Sequence, residues 1–283
     1  MPANSSQSKR EFWIDANHAD LFAQNNIASI DDLFAAAGTK LHKATLPSWR
    51  ERVAVDLQDG QGATHRFYIK RFHRNTPKRL LTSVLPGKRA TSPARVERDW
   101  IMRLASEGIA VPKVASFAEE SLGSGGSRSA LVLAEMPGES LEKWVLRQDG
   151  LASKGLICAV AELARAFHGN GFIHRDFYLS HIFLTNDSDT EPDLALIDLQ
   201  RVMHKPLRFE RWRNRDLAQL DYSVPKHIAG VRQRVRFLRT YFQVRSLRRA
   251  GLARTIKAIA AKSAQIAAHD RRRAARTTKA GAV

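Results

Sequence analysis

Ile173-His174-Arg175-Asp176-Phe177-Tyr178-Leu179-Ser180-His181-Ile182-Phe183-Leu184 is the stretch on which the reading of this chain turns. Its two apolar ends bracket a polar loop, with Asp176 on the turn that leaves Ile173. Downstream, Leu194 to Ile197 is another short apolar run, and Asp198 ends it. Short apolar runs bounded by turn residues read as strands. Phe172-Ile173, His181 to Leu184 and Leu194 to Ile197 are therefore expected strands, with two carboxylates at their ends.

A His-Arg-Asp triplet between apolar runs has the layout of a kinase catalytic loop. Phosphoryl transfer from ATP asks a protein for positioning and charge neutralisation. Asp176 is the candidate catalytic base, placed to orient a hydroxyl and take its proton. Asp198 closes an apolar strand, where an unpaired charge is costly; Mg²⁺ bridging nucleotide phosphates is its natural partner. Lys70 shares a strand face with Tyr68 and Phe72 and is a candidate to neutralise those phosphates. Glu97 shares a helix face with Ile101 and Leu104, and a carboxylate there wants a cation, so Lys70 and Glu97 are expected to pair. His181 lies five residues after Asp176, where a protein kinase carries a metal-binding Asn. Imidazole suits softer metals than Mg²⁺, so His181 is read either as a second metal ligand or as a hydrogen-bond partner of Asp176 or a phosphate. The plainer readings are a loop Asp at 176, a turn Asp at 198, a surface Glu at 97 and a packing His at 181.

Working outward, residues 11–37 read as one or two short helices. Arg52 to Leu57 and His65 to Phe72 read as a strand pair about the turn Asp59-Gly60-Gln61-Gly62. Thr91 to Glu107 is a helix, with Ser92 as cap, Pro93 in its first turn and Gly108 as stop. A Gly/Ser loop, Gly123 to Ser129, precedes a strand from Ala130 to Ala134. Pro137-Gly138 marks a break between lobes. Helices are expected near Ser140 to Arg147, over Lys154 to His168 and over Asn214 to Leu220. Val231, Val235, Leu238 and Phe242 fall on one helical face. Leu252, Ile256, Ile259 and Ile266 make a thinner stripe, and Asp270 to Val283 is expected to be disordered.

Of 46 basic and 28 acidic side chains, 22 basic and four acidic ones lie from residue 201 onward. The first 200 residues are thus neutral, and the whole excess of +18 sits in the last third. Such a field points to a polyanionic partner. Hydrophobic content of 43% fits a folded protein. A single cysteine, Cys158, excludes an internal disulfide framework and reads as a small core residue. No apolar run approaches the roughly 20 residues of a membrane span, and the polar start lacks a secretory h-region, so a cytoplasmic location is expected.

The run from His174 to Leu184, with Asp198 downstream and Arg215-Asp216-Leu217-Ala218-Gln219-Leu220 after it, resembles the lipopolysaccharide core heptose kinases. These belong with the Kdo kinases to a lipopolysaccharide kinase family of kinase-like fold. The resemblance covers roughly Val53 to Phe242. It implies an α+β, two-lobed fold with a β-rich N-lobe over 1–136, a mainly helical C-lobe over 137–245 and a basic tail over 246–283. Asp176 matches the family's base, Lys70 the phosphate-contacting lysine, Glu97 its helical partner and Asp198 the metal aspartate, with Leu199-Gln200 replacing the usual Phe-Gly. Asp216 resembles the aspartate that braces the catalytic loop. The cofactors implied are ATP and Mg²⁺. The acceptor implied is an inner-core or lipid A-linked sugar, met at the cytoplasmic face of the inner membrane, where the basic third can dock on anionic lipid. The chain departs from the pattern between about Gly38 and Arg52, where no Gly-rich nucleotide loop is recognisable.

Three other readings differ in class. A kinase-like enzyme acting on another sugar, a small molecule or a protein keeps the same catalytic set. A pseudokinase scaffold is disfavoured because Lys70, Glu97, Asp176 and Asp198 are all present. A nucleic-acid binder calls for aromatics interleaved with basic residues; Trp212, Phe237, Tyr241 and Phe242 are the candidates, but Phe242 follows the spacing of a packed face.

Overall fold

A computed structural model of the chain describes residues 10–41, 47–74, 92–122, 126–188 and 190–280. Met1 to Lys9, residues 42–46 of the segment searched for a nucleotide loop, Thr91, Gly123 to Gly125 and the last three tail residues lie outside them. Two compact units form, Met1–Ser106 with Pro112–Met136, and Glu107–Val111 with Pro137–Val283.

The first unit is built on an antiparallel six-stranded sheet. Its strands are β1 (Arg10–Ile14), β2 (Thr39–Lys40), β3 (Arg50–Gln58), β4 (Thr64–Phe72), β5 (Val114–Leu122) and β6 (Gly126–Ala134), in the order β1-β5-β6-β4-β3-β2. Val53, Val55 and Leu57 alternate along β3 and are buried, as a strand with one covered face requires. They meet Phe67 and Ile69 of β4 and a layer of Phe22, Ile30 and Leu33 from the short helices α1 (Ala19–Gln24) and α2 (Ile30–Ala35). The opposite face packs under α3 (Pro93–Ser106), which buries Glu97, Ile101 and Leu104. Residues 10–14, expected to begin a helical stretch, are an edge strand instead. Their partner is β5, more than 100 residues away in sequence, with Trp13 opposite Phe117; local periodicity carries no trace of such a pairing.

The second unit is mainly helical. It comprises α4 (Leu141–Val145), α5 (Lys154–Gly169), α6 (Phe209–Ser223), α7 (Val231–Phe242) and α8 (Ala253–Ala280). Between them run β7 (Glu139–Ser140), β8 (Phe172–Ile173), β9 (Ile182–Asn186), β10 (Asp193–Leu196) and β11 (Met203–His204). Gly138 enters this unit at φ 82°, with its backbone so close to Leu184 that an added Cβ would sit 1.9 Å from the Leu184 carbonyl oxygen; only glycine fits there. Phe167 of α5 lies against Phe172 and Phe177 at 5.6 and 6.4 Å, which fixes both ends of the loop between β8 and the following turn.

Two tail expectations change. Asp270 to Ala280 is not disordered: α8 continues through Ala280. Ala, Arg and Lys are strong helix formers, Ile259 is buried against the unit, and the Tyr222 hydroxyl donates to Asp270 Oδ2 at 2.7 Å. On α7 the expected stripe is partly exposed, with Val231 at 79% and Val235 at 37%. Tyr241 is the buried residue, while the two valines line a cavity of about 320 Å³ shared with Trp144, Leu220, Phe237 and Ile259. Among the described residues no helix is long and apolar enough to cross a membrane.

Candidate active site

The loop from His174 to Leu179 is pinned by one face of α6. Asp216 is fully buried and accepts from the backbone amides of His174 (Oδ2, 2.7 Å) and Arg175 (Oδ1, 2.9 Å). One turn on, Gln219 accepts from the Phe177 amide at 3.1 Å and donates to the Arg175 carbonyl at 2.9 Å. A further turn on, Ser223 Oγ accepts from the Leu179 amide at 3.1 Å. Positions 216, 219 and 223 stack along a helix at i, i+3 and i+7, so three polar side chains satisfy amides that a tight loop leaves without partners. Arg175 is held at φ 72°, in the left-handed region that costs a non-glycine residue energy unless its surroundings enforce it. His168 completes the support. Burial pushes the Tyr241 phenol up, so its hydroxyl stays protonated and donates to His168 Nδ1 at 2.8 Å, leaving Nε2–H to face Asp216 at 3.4 Å.

The pinned loop presents Asp176, and β-pairing brings Asp198 beside it. Ile182 of β9 stands opposite Leu196 of β10, and the Ile197 amide donates to the His181 carbonyl at 3.0 Å. Asp198 then turns out of the strand at φ 57°, ψ 58°. His181 links the two carboxylates. Its Nδ1–H donates to the Asp176 backbone carbonyl at 2.7 Å, and its Nε2 faces Asp198 Oδ2 at 3.7 Å. A ring fixed this way in its neutral form offers Nε2 as a lone pair, the arrangement of metal-binding histidines. Behind it His174 stacks on the His181 ring at 5.8 Å and donates from Nε2 to the Ile197 carbonyl at 3.1 Å. Burial, reinforced by His181 and opposed by Asp216, keeps His174 below the usual imidazole range and so uncharged.

In the first unit Lys70 and Glu97 form the expected pair, Nζ donating to Oε1, at 10% and 1% side-chain exposure. Lys70 reaches α3 because strand alternation turns it away from Ile69. Arg71, on the Ile69 side, donates instead to the Leu33 and Ala36 carbonyls of the α2 layer. The Asp59–Ala63 turn is no phosphate cradle, since Asp59 Oδ1 already accepts from the Gln61 and Ala63 amides at 2.9 Å each.

Among the described residues no three His, Cys, Asp or Glu side chains gather as a cation cage. Asp198 offers an oxygen ligand, which fits a Mg²⁺ ion that takes its other ligands from phosphate oxygens and water, whereas the His181 nitrogen suits a softer metal. Sequence reading missed three participants: Gln219, Ser223 and Arg201. Gln219 and Ser223 were readable as polar positions sharing a face with Asp216. Arg201, whose Nη1 contacts both Asp176 oxygens at 2.7 and 3.0 Å, had no local signal.

Residues 48–241 match the model of the lipopolysaccharide kinase (Kdo/WaaP) family. The chain is 34% identical over 201 residues to the lipopolysaccharide core heptose(I) kinase WaaP of Pseudomonas aeruginosa, covering 65% of this chain and 71% of that one. It is 28% identical over 187 residues to the WaaP of Escherichia coli K12, covering 62% and 70%. A solved structure, WaaP in complex with acyl carrier protein, shares the fold at a TM-score of 0.67 and 24% identity, over 90% of this chain and 98% of that one.

Proposed function

The chain belongs to the lipopolysaccharide kinase (Kdo/WaaP) family and is a phosphotransferase of that family; from that premise we propose that it uses ATP to phosphorylate a sugar hydroxyl, heptose or Kdo, of the lipopolysaccharide inner core. The observation that carries this reading is the single imidazole of His181, tied to the Asp176 backbone and facing Asp198. It gives the hydroxyl-orienting group and the metal-holding group one rigid support.

In this reading Asp176 orients the acceptor hydroxyl. The acceptor oxygen bonds to the γ-phosphorus as the bridging bond to the β-phosphate breaks, ADP leaves, and the hydroxyl proton passes to Asp176. Asp198, with His181 beside it, would hold Mg²⁺, which when bound would neutralise charge on the phosphates. Lys70, fixed by Glu97, neutralises further phosphate charge. Asp216, Gln219 and Ser223 position the loop without touching the reactants. Asp198 sits in an αL backbone at φ 57°, with Leu199-Gln200 in place of Phe-Gly.

The acceptor is a large anionic glycolipid, so we place the enzyme at the cytoplasmic face of the inner membrane. Arg232, Arg236 and Arg239 on α7, Arg248 and Arg249 after it, and Arg254 and Lys257 on α8 are exposed. Each basic side chain near an anionic surface contributes about 1 kcal/mol. Acyl carrier protein, named with the solved structure of like fold, is a second candidate partner. The test incubates the protein with Mg-ATP and inner-core lipopolysaccharide lacking the phosphate, in parallel with small sugars and protein substrates. One added phosphoryl group on the glycolipid alone supports the reading; transfer only to the other acceptors overturns its choice of substrate.

A further inference from the structure

The carboxylate of Asp176 is already engaged. One amine, Nη1 of Arg201, donates to both of its oxygens. An acceptor hydroxyl would have to share those two oxygens with a cation, and the contact opposes the proton transfer expected of Asp176. Arg201 is 47% exposed, and its Nε and Nη2 make no hydrogen bond among the described residues. It is therefore free to swing and still has donors to offer.

Its surroundings are electropositive. Arg175 and Arg215 flank the Trp212 ring, with guanidinium carbons 5.5 and 5.6 Å from its centroid. Neither makes an ion pair among the described residues, and Arg175 Nε is buried without a partner. Burial, then the charges of Arg201 and Arg215, depress the Arg175 pKa, so both of those guanidinium groups act on Arg175. Asp176 and Asp216 oppose that shift, so the cluster sets three guanidinium groups against two carboxylates. Three guanidinium groups against two carboxylates leave one positive charge in excess, and guanidinium geometry suits carboxylate and phosphate oxygens.

We propose that Arg201, with Arg175 and Arg215 beside it, forms an anion subsite that reads an acidic group carried by the acceptor next to its reacting hydroxyl, and that filling this subsite draws Arg201 off Asp176. The inference rests on the reading of Asp176 as the base and of the acceptor as a glycolipid sugar. The ligand is a carboxylate or a phosphate monoester; sugar acids and sugar phosphates both supply that chemistry. Arg201 thereby acts as a specificity-determining residue, since a neutral sugar leaves the base latched.

The test compares the full-length protein with Arg201→Gln and Arg201→Lys on three acceptors: intact inner-core oligosaccharide, the same oligosaccharide after dephosphorylation, and a neutral heptose glycoside. Acceptor-free ATP hydrolysis is followed with and without inorganic phosphate, and thermal midpoints confirm folding. In the wild type, kcat/KM is expected to be about 10- to 100-fold higher on the acidic acceptors, as for a charge-assisted hydrogen bond. Arg201→Gln loses that preference through the acidic acceptors while the neutral glycoside gains turnover. Arg201→Lys retains only part of the preference, because it keeps the charge without the planar fork. Loss of preference on dephosphorylation assigns the acidic group to phosphate, and its retention assigns it to carboxylate. An equal loss on all three acceptors in Arg201→Gln overturns the proposal. If no sugar is phosphorylated, the acceptor reading fails separately. The subsite is then judged by hydrolysis alone: stimulation by phosphate that Arg201→Gln abolishes sustains it, and no stimulation in the wild type overturns it.

Discussion

Asp216→Ala gives the sharpest test of how the loop from His174 to Leu179 is held. The substitution strips the acceptor from the amides of His174 and Arg175, both within 2.9 Å, and weakens the longer contact to His168. His174 sits in a core closed to water at 0% exposure, and Arg175 is half-buried beside it. A buried donor left without a partner costs about 1–3 kcal/mol. Counting only the two backbone amides, the loss is about 2–6 kcal/mol, a large fraction of the roughly 5–15 kcal/mol that holds a domain together. The third contact is too long to add with the same weight. Asp216→Asn keeps one acceptor oxygen and turns an NH₂ group toward the other amide, so about half that loss is expected. Hydrogen exchange followed by mass spectrometry on the peptide spanning 172–182 reads the effect locally, without assuming that the two units unfold together. Exchange there should accelerate about 30-fold or more in Asp216→Ala, since each 1.4 kcal/mol is a factor of ten. Unchanged exchange, with urea midpoints matching the wild type, would refute the idea that Asp216 carries this loop.

Three further outcomes follow from the same contacts. Stability of the second unit should decline as pH falls below about 6.5, the ordinary imidazole value. His174 is depressed by burial, so the unfolded chain binds a proton the folded one refuses, and stability rises with pH through that window; urea midpoints that stay flat between pH 7 and 5.5 contradict this. Lys70→Met should cost about 3–5 kcal/mol by removing the buried cation that Glu97 pairs with, whereas Lys70→Met with Glu97→Leu should recover most of that stability and none of the activity; equal stability of single and double variants in chemical denaturation would show that the pair is not coupled. Gly138→Ala should lower the thermal midpoint, because its Cβ meets the Leu184 carbonyl at 1.9 Å with φ at 82°; an unaltered melting curve would mean the backbone there yields freely.

What could be read in advance divides along physical lines. Lys70 and Glu97 were legible because strand alternation and the helical repeat each assign a face, and a charge on an apolar face asks for a partner. Asp176 and Asp198 stood out as candidates because each follows a short apolar run, and the structure links both to the His181 ring. Arg201 was not: it lies three residues past Asp198, in a turn, and meets Asp176 only because Met203 of β11 pairs with Ile173 of β8. The edge strand at Arg10–Ile14 failed for the same reason, its register being set by β5. The tail misled in the opposite sense, since a basic, Ala-rich composition suits both a solvated coil and a helix. The choice fell to the Tyr222 hydroxyl on Asp270 and the burial of Ile259, neither of which periodicity reports.

The central claim is that Asp176 works on the acceptor and not on the nucleotide. Single-turnover phosphoryl transfer by Asp176→Ala, measured beside its affinity for Mg-ATP, tests this most directly. The rate should fall by about 10²- to 10⁴-fold, with nucleotide affinity close to that of the unaltered protein. Transfer at the wild-type rate, or a loss that tracks weakened nucleotide binding, would contradict the assignment.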